Sequence, residues 1–225
     1  MEKLVLSKKL VVFDLDGTLI NSSEKIYLAV CLTREEFKFS QSNKEFIFSK
    51  IGLSAEELFL DLNLNSFQLE LVVKQFRFFL ENINFSNNDL YPKVVETLNL
   101  LKLKKYLLAI ATNKPSSLAK KALADCGIET YFDLIRGSDG LPLKPDPAIL
   151  TNCLSYFDVP SSSTIMIGDR TEDMKAAYSV GIYGIGLTQG TCSENDLKRN
   201  GAHKVFDDIE NLHYYFQEYG VFENI

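Results

Sequence analysis

The chain has 225 residues, 46% of them hydrophobic and 24% charged, with a net charge of −6. That length is enough to bury a substantial core in one large domain or two smaller ones. The acidic balance argues against a nucleic-acid footprint, and the lack of any run of about 20 apolar residues argues against a membrane-spanning helix. An anionic substrate would be repelled by the average field, so it needs a local focus of positive charge or a metal. Cys31, Cys126, Cys153 and Cys192 form no C-x-x-C pair and sit near no histidine at ligand spacing. They read as reduced thiols in a cytoplasmic protein. Lys8 and Lys9 lead straight into an acid-bearing strand, which is not the layout of a signal peptide.

In chain order, the first strand is expected over about Leu10 to Phe13. It ends in Asp14-Leu15-Asp16-Gly17-Thr18-Leu19. Two carboxylates directly after a buried run call for something cationic, and a side-chain period of two puts Asp14 and Asp16 on one side. Gly17 frees the backbone to turn closely around a ligand. From Glu24 to about Glu81 helix signals repeat without a convincing strand. Ser54-Ala55-Glu56-Glu57 has the pattern of a capping box ahead of Leu58, Phe59 and Leu62. Asn65 to Gln68 opens another helix, with Leu69, Val72, Val73, Phe76 and Leu80 at helical spacing. The polar stretch Asn82–Asn88 reads as a hinge or linker.

Strand–helix alternation follows. Pro92 opens a helix to about Leu103, and Leu107–Ala111 is a buried strand. Pro115 sits just inside a helix that Gly127 ends. Phe132–Ile135 is a short strand, Asp146-Pro147 begins a helix to about Tyr156, and Thr164–Ile167 is a strand ending at Gly168-Asp169. Short strands near Tyr183–Gly186 and Lys204–Phe206 precede a last helix at about Ile209–Tyr219. The pattern predicts a doubly wound α/β fold with a parallel, Rossmann-type sheet. The gap from Asp16 to Leu107 is too long for a single crossover helix. We therefore expect a core of residues 1–20 and 89–225 and an inserted helical bundle of residues 21–88.

If the strands are parallel neighbours, four polar sets converge on one sheet edge: Asp14 and Asp16; Thr112, Asn113 and Lys114; Lys144; and Asp169 with Asp173. Hard oxygens of this kind suit Mg²⁺, and cation and donors together can neutralise phosphoryl oxygens. Asp14-x-Asp16-Gly17-Thr18, Thr112-Asn113, Lys144-Pro145 and Gly168-Asp169-x-x-x-Asp173 resemble, in order, the four motifs of the haloacid dehalogenase-like (HAD) hydrolase superfamily. The helical insert is similar to the small cap of its phosphoglycolate phosphatase-like branch.

The resemblance implies a Mg²⁺-dependent phosphatase for a small phosphorylated metabolite, with no nucleic-acid or membrane partner, as a monomer or homodimer. It implies Asp14 as nucleophile and Asp16 as general acid and base. It also implies Gly17, Thr112, Asn113 and Lys144 at the phosphoryl group. Asp14, the Asp16 backbone carbonyl and Asp169 would hold Mg²⁺, with Asp173 behind them. Asp16 separates this reading from the dehalogenase branch, which has no aspartate two residues past its nucleophile. A phosphomutase of the β-phosphoglucomutase kind and a non-catalytic binding protein of the same fold are the alternatives.

Departures from the branch bear on substrate choice. Arg170 stands where many relatives have Ser or Thr, and a surface ion pair is its expected role. Lys93 replaces a usual Gly, Asn21 a frequent Asp, and Gln189 a bulky aromatic. Ile51–Ser54 resembles the cap loop that reaches over the site, although a plain interhelical turn is the simpler expectation. His203 and His213 are expected as surface or packing residues.

Overall fold

The apolar run ahead of Asp14 forms β1 (Leu10–Phe13), a wholly buried strand at the centre of the sheet in this computed structural model, which describes residues 8–223. It is flanked by β2 (Leu107–Ala111) and β4 (Thr164–Gly168), while β3 (Leu134–Arg136), β5 (Tyr183–Leu187) and β6 (Lys204–Phe206) extend the sheet outward. The order is β3-β2-β1-β4-β5-β6 and every pairing is parallel. Phe13 pairs with both Ile110 and Ile167, so the residues that follow β2, β1 and β4 emerge side by side.

Strand periodicity divides the core. Val11, Phe13, Leu108, Ile110, Ile165 and Ile167 face one side. There they meet α4 (Val94–Leu103), α5 (Ser116–Asp125) and α9 (Ile209–Tyr219). Leu10, Val12, Ala109, Ala111 and Met166 face the other, against α6 (Ala148–Phe157) and α7 (Thr171–Ser179). Both faces are covered, which is why the strands are near-continuous apolar runs rather than alternating ones. A short α8 (Glu194–Arg199), without a clear periodic signal in the sequence, packs on β5 and β6.

Between β1 and β2 lie α1 (Ser23–Glu36), α2 (Lys44–Lys50), a 3₁₀ segment (Ala55–Leu62) and α3 (Ser66–Asn82). Ile26, Ala29 and Val30 of α1 and Val72, Val73, Phe76 and Leu80 of α3 are buried, and Phe59 meets Phe76 edge-on at 5.8 Å. Phe59 and Phe76 are core, whereas Phe67 and Phe78 of α3 are exposed. Asn65 and Gln68 make the expected capping box of α3. The box expected at Ser54 does not form: the segment is 3₁₀, and the Glu57 carboxylate accepts instead from Lys50 Nζ at 3.1 Å.

The polar 82–88 stretch is firmly tied to the sheet-bearing part. Phe85 is buried, its N–H donates to Asp125 at 3.0 Å, and Lys121 Nζ donates to the Ile83 carbonyl at 3.2 Å. Composition alone suggests a loose hinge, whereas these bonds make it an anchored connector. Lys93 takes the left-handed conformation (φ 66°) at the start of α4.

Candidate active site

Each polar set follows a strand, and the sheet order brings all four together. Asp14 directly follows β1, and its N–H donates to the Ile167 carbonyl at 2.9 Å. Lys144, from the loop between β3 and α6, reaches in from a position 130 residues away. Its Nζ donates to Asp14 Oδ1 at 2.8 Å, to the Ala111 carbonyl at 2.7 Å and to Asp173 Oδ1. Asp173, in the first turn of α7, also accepts from the Arg170 N–H through its other oxygen, at 3.1 Å. Asp14, Lys144, Asp169 and Asp173 are all buried.

Carboxylate oxygens of Asp14, Asp169 and Asp173 lie within 4.8 Å of one another. Three buried carboxylates facing one ammonium leave an excess of negative charge, and the titration behaviour follows from it. Burial pushes the Asp169 carboxyl well above the usual range, and Asp14 and Asp173 push it the same way. Burial likewise raises Asp173, to about 6, against the opposing pull of Lys144. For Lys144, burial opposes the charge, but Asp14 and Asp173 outweigh it and hold the ammonium above its ordinary value. Clustered hard oxygens with this excess of negative charge fit a hard divalent cation. The cradle is also tight: a Cβ at Gly17 would meet Asp169 Oδ2 at 2.5 Å, and one at Gly190 would meet it at 2.0 Å.

Asp16 is not among the three clustered acids. Its carboxylate accepts from Lys114 Nζ at 2.6 Å, and both side chains are nearly covered. Gly17 has φ 85°, and its N–H is taken by the Ile20 carbonyl at 2.9 Å, closing the turn. Thr112 and Asn113 follow β2; Asn113 Oδ1 accepts from the Lys144 N–H at 2.8 Å and so fixes the lysine loop.

Three contributors were not assigned a role from the sequence. Thr18, fully buried, donates to Asp169 Oδ1 at 2.9 Å. Lys114 pairs with Asp16. Gln189 donates to the carbonyls of Gly17 and Thr18 at 3.2 and 2.8 Å and accepts from the Ile209 N–H, so it braces the acid turn. The Asp-x-Asp-Gly-Thr pattern contains Thr18 but not its partner. The pairings of Lys114 and Gln189 depend on tertiary contacts 98 and 172 residues apart.

Two expectations are corrected here. Arg170 is not a surface residue: besides its ion pair with Glu172 at 3.1 Å, it is buried against carbonyls of the helical insert. Ile51–Ser54 is more than an interhelical turn. With Asp16, Thr112, Asn113 and Lys114 it lines a cavity whose remaining wall is largely apolar, from Ile26, Leu58, Phe76, Leu80 and Leu118. His203 and His213 lie away from these residues; His213 is buried beside Thr97, at 3.2 Å.

Comparison with known proteins gives a consistent picture. The model of a family described as haloacid dehalogenase-like hydrolase matches residues 11–187. A phosphoglycolate phosphatase of Haemophilus influenzae is 34% identical over 215 residues, covering 91% of this chain and 96% of that one. A crystal structure of a predicted phosphoglycolate phosphatase from Haemophilus somnus superposes with a TM-score of 0.82 at 28% identity, over 95% of this chain and all of that one (100%). One of a predicted phosphatase from Clostridium acetobutylicum gives 0.83 at 26% identity, over 94% and 99%.

Proposed function

The chain belongs to the haloacid dehalogenase-like hydrolase family and is a phosphatase, and we propose that Asp14 is its nucleophile. An Asp14 oxygen attacks the phosphorus of a small phosphorylated metabolite in line. The bond from phosphorus to the leaving oxygen breaks, and Asp16 gives that oxygen its proton. A water then attacks the aspartyl-phosphate, Asp16 takes the water's proton, and inorganic phosphate leaves with Asp14 restored. Splitting the reaction matters because uncatalysed phosphate monoester hydrolysis is among the slowest biological reactions.

The observation that carries this reading is Lys144, whose ammonium spans Asp14 and Asp173 beside Asp169 at the ends of adjacent strands. An anionic nucleophile needs positive charge to meet an anionic phosphoryl group. Lys144, Thr112 and the Asn113 backbone supply donors to the phosphoryl oxygens, and Gly17 lets the chain turn close to them. Asp14, Asp169 and the Asp16 backbone carbonyl would hold Mg²⁺, with Asp173 in reach. When bound there, Mg²⁺ supplies charge neutralisation at the phosphoryl oxygens. Lys114 positions the Asp16 carboxyl.

Residues 21–88 act as a cap over a core of 1–20 and 89–225. Phosphoglycolate is one candidate substrate, after the relatives. No helix among the described residues is long and apolar enough to cross a membrane. The test is hydrolysis of p-nitrophenyl phosphate with Mg²⁺. The wild type should release phosphate without any sugar bisphosphate, which a mutase would require for turnover, and Asp14→Asn should abolish the release. Equal rates for the two proteins would reject the nucleophile. A screen of phosphorylated metabolites ranked by kcat/KM identifies the substrate.

A further inference from the structure

Arg170 directly follows Asp169, yet its guanidinium turns away from the nucleophile. Nη1 donates to the Ile51 carbonyl at 2.7 Å, to the Ser49 carbonyl at 3.3 Å and to Thr191 Oγ1 at 3.0 Å. Nε is neutralised by Glu172 at 3.1 Å. Ser49 and Ile51 close the C-terminal end of α2. Carbonyls there lack intrahelical partners, and the helix dipole is negative, so a buried guanidinium is matched to them.

The following loop is built around this side chain. Gly52 has φ 86°, and a Cβ at that position would meet Arg170 Cδ at 2.5 Å. The Gly52 carbonyl in turn accepts from Asn113 Nδ2 at 3.0 Å. The loop is therefore gripped from two strand ends, by Arg170 after β4 and by Asn113 after β2.

We propose that Arg170 is a positioning residue that docks loop 51–54 over the reaction cavity, where the loop walls in the leaving group. This rests on the phosphatase reading above. Without Arg170 the loop loses its fixed position, while the contacts among Asp14, Asp169, Asp173 and Lys144 stay intact. The loss falls on kcat/KM and leaves the Mg²⁺ requirement alone.

Steady-state kinetics test this with p-nitrophenyl phosphate as the probe. Arg170→Ala should lower kcat/KM by about tenfold or more, and Arg170→Lys, which keeps the charge but cannot fork between Glu172 and the loop carbonyls, should recover only part of the loss. The Mg²⁺ concentration for half-maximal rate should not move. An unchanged kcat/KM for Arg170→Ala, full recovery in Arg170→Lys, or a shifted Mg²⁺ dependence would each overturn the proposal.

Amide hydrogen exchange reads the same clamp without turnover. Arg170→Ala should speed exchange in residues 49–54 and leave β4 protected; unchanged exchange in 49–54 overturns the proposal. If Arg170→Ala does not fold, Arg170→Lys weakens the same clamp and should also speed exchange there, with the same converse. If even the wild type releases no phosphate, the phosphatase reading fails alone, and exchange still decides the role of Arg170.

Discussion

Replacing Lys144 by Met removes a cation that touches two of the three clustered acids while roughly keeping the length of the side chain. In the wild type three carboxylates cluster about Lys144, a residue that is 4% exposed. The substitution deletes three donated hydrogen bonds, to Asp14, Asp173 and the Ala111 carbonyl. Breaking a buried ion pair by removing one partner costs about 3–5 kcal/mol, because the remaining charge is left uncompensated. For a chain of this size that corresponds to a fall in Tm of roughly 6–20 °C. The acids left behind attract a divalent cation more strongly, so added Mg²⁺ should raise Tm more in Lys144→Met than in the wild type. Turnover should fall by about 10²–10³ or more, the scale of losing a preorganised charge at the transferred group. Thermal unfolding in EDTA and in Mg²⁺, with phosphate release on p-nitrophenyl phosphate, measures all three. A variant as stable as the wild type in EDTA, or one that keeps its turnover, would refute the reasoning.

Three further outcomes follow from individual contacts. Thr18→Val keeps the side-chain shape but withdraws the donor from Asp169; the Mg²⁺ concentration for half-maximal rate should rise by about 10–100-fold. An unmoved Mg²⁺ curve would show that the bond does not orient Asp169. Gly137→Ala would set a Cβ 2.3 Å from the Lys114 carbonyl and 2.4 Å from the Ser116 nitrogen, backbone atoms that yield little. Denaturant unfolding should show a loss of about 1–3 kcal/mol, and wild-type stability would contradict the clash. For His213, burial lowers the imidazole pKa and Lys93 adds to it, while Glu96 and Glu210 oppose. The unfolded chain then binds the proton more readily, so this group leaves stability whole above about pH 6.5 and erodes it as pH falls toward the depressed folded value. His213→Gln should flatten that part of the stability–pH curve, and an unchanged slope would remove His213 as its cause.

Much of this protein is legible without coordinates. The strands β2 and β6 and the helix α9 coincide with the apolar periodicity, and the Asn65–Gln68 capping box forms as its residue types require. These features depend on local physics: side-chain period, capping donors and left-handed glycines. The Asp14, Thr112 and Asp169 sets are legible for the same reason, since each follows its own strand, whereas Lys144 stands in a loop and is legible only through its place in the order of the four motifs. The Ser54 segment defeats the capping rule because Lys50, at the end of the preceding helix α2, takes the Glu57 carboxylate that would have closed the box.

Chain order and residue type settled that the molecule is a two-faced parallel α/β sheet with a helical insert and acids at its strand ends. The tertiary structure alone decided which charge meets which: Lys144 with Asp14 and Asp173, Lys114 with Asp16, Arg170 with the insert and not with water. The physical reason is range. Periodicity and capping act over a few residues, whereas a buried charge takes whichever partner the packed sheet order brings within about 3 Å, however distant in sequence.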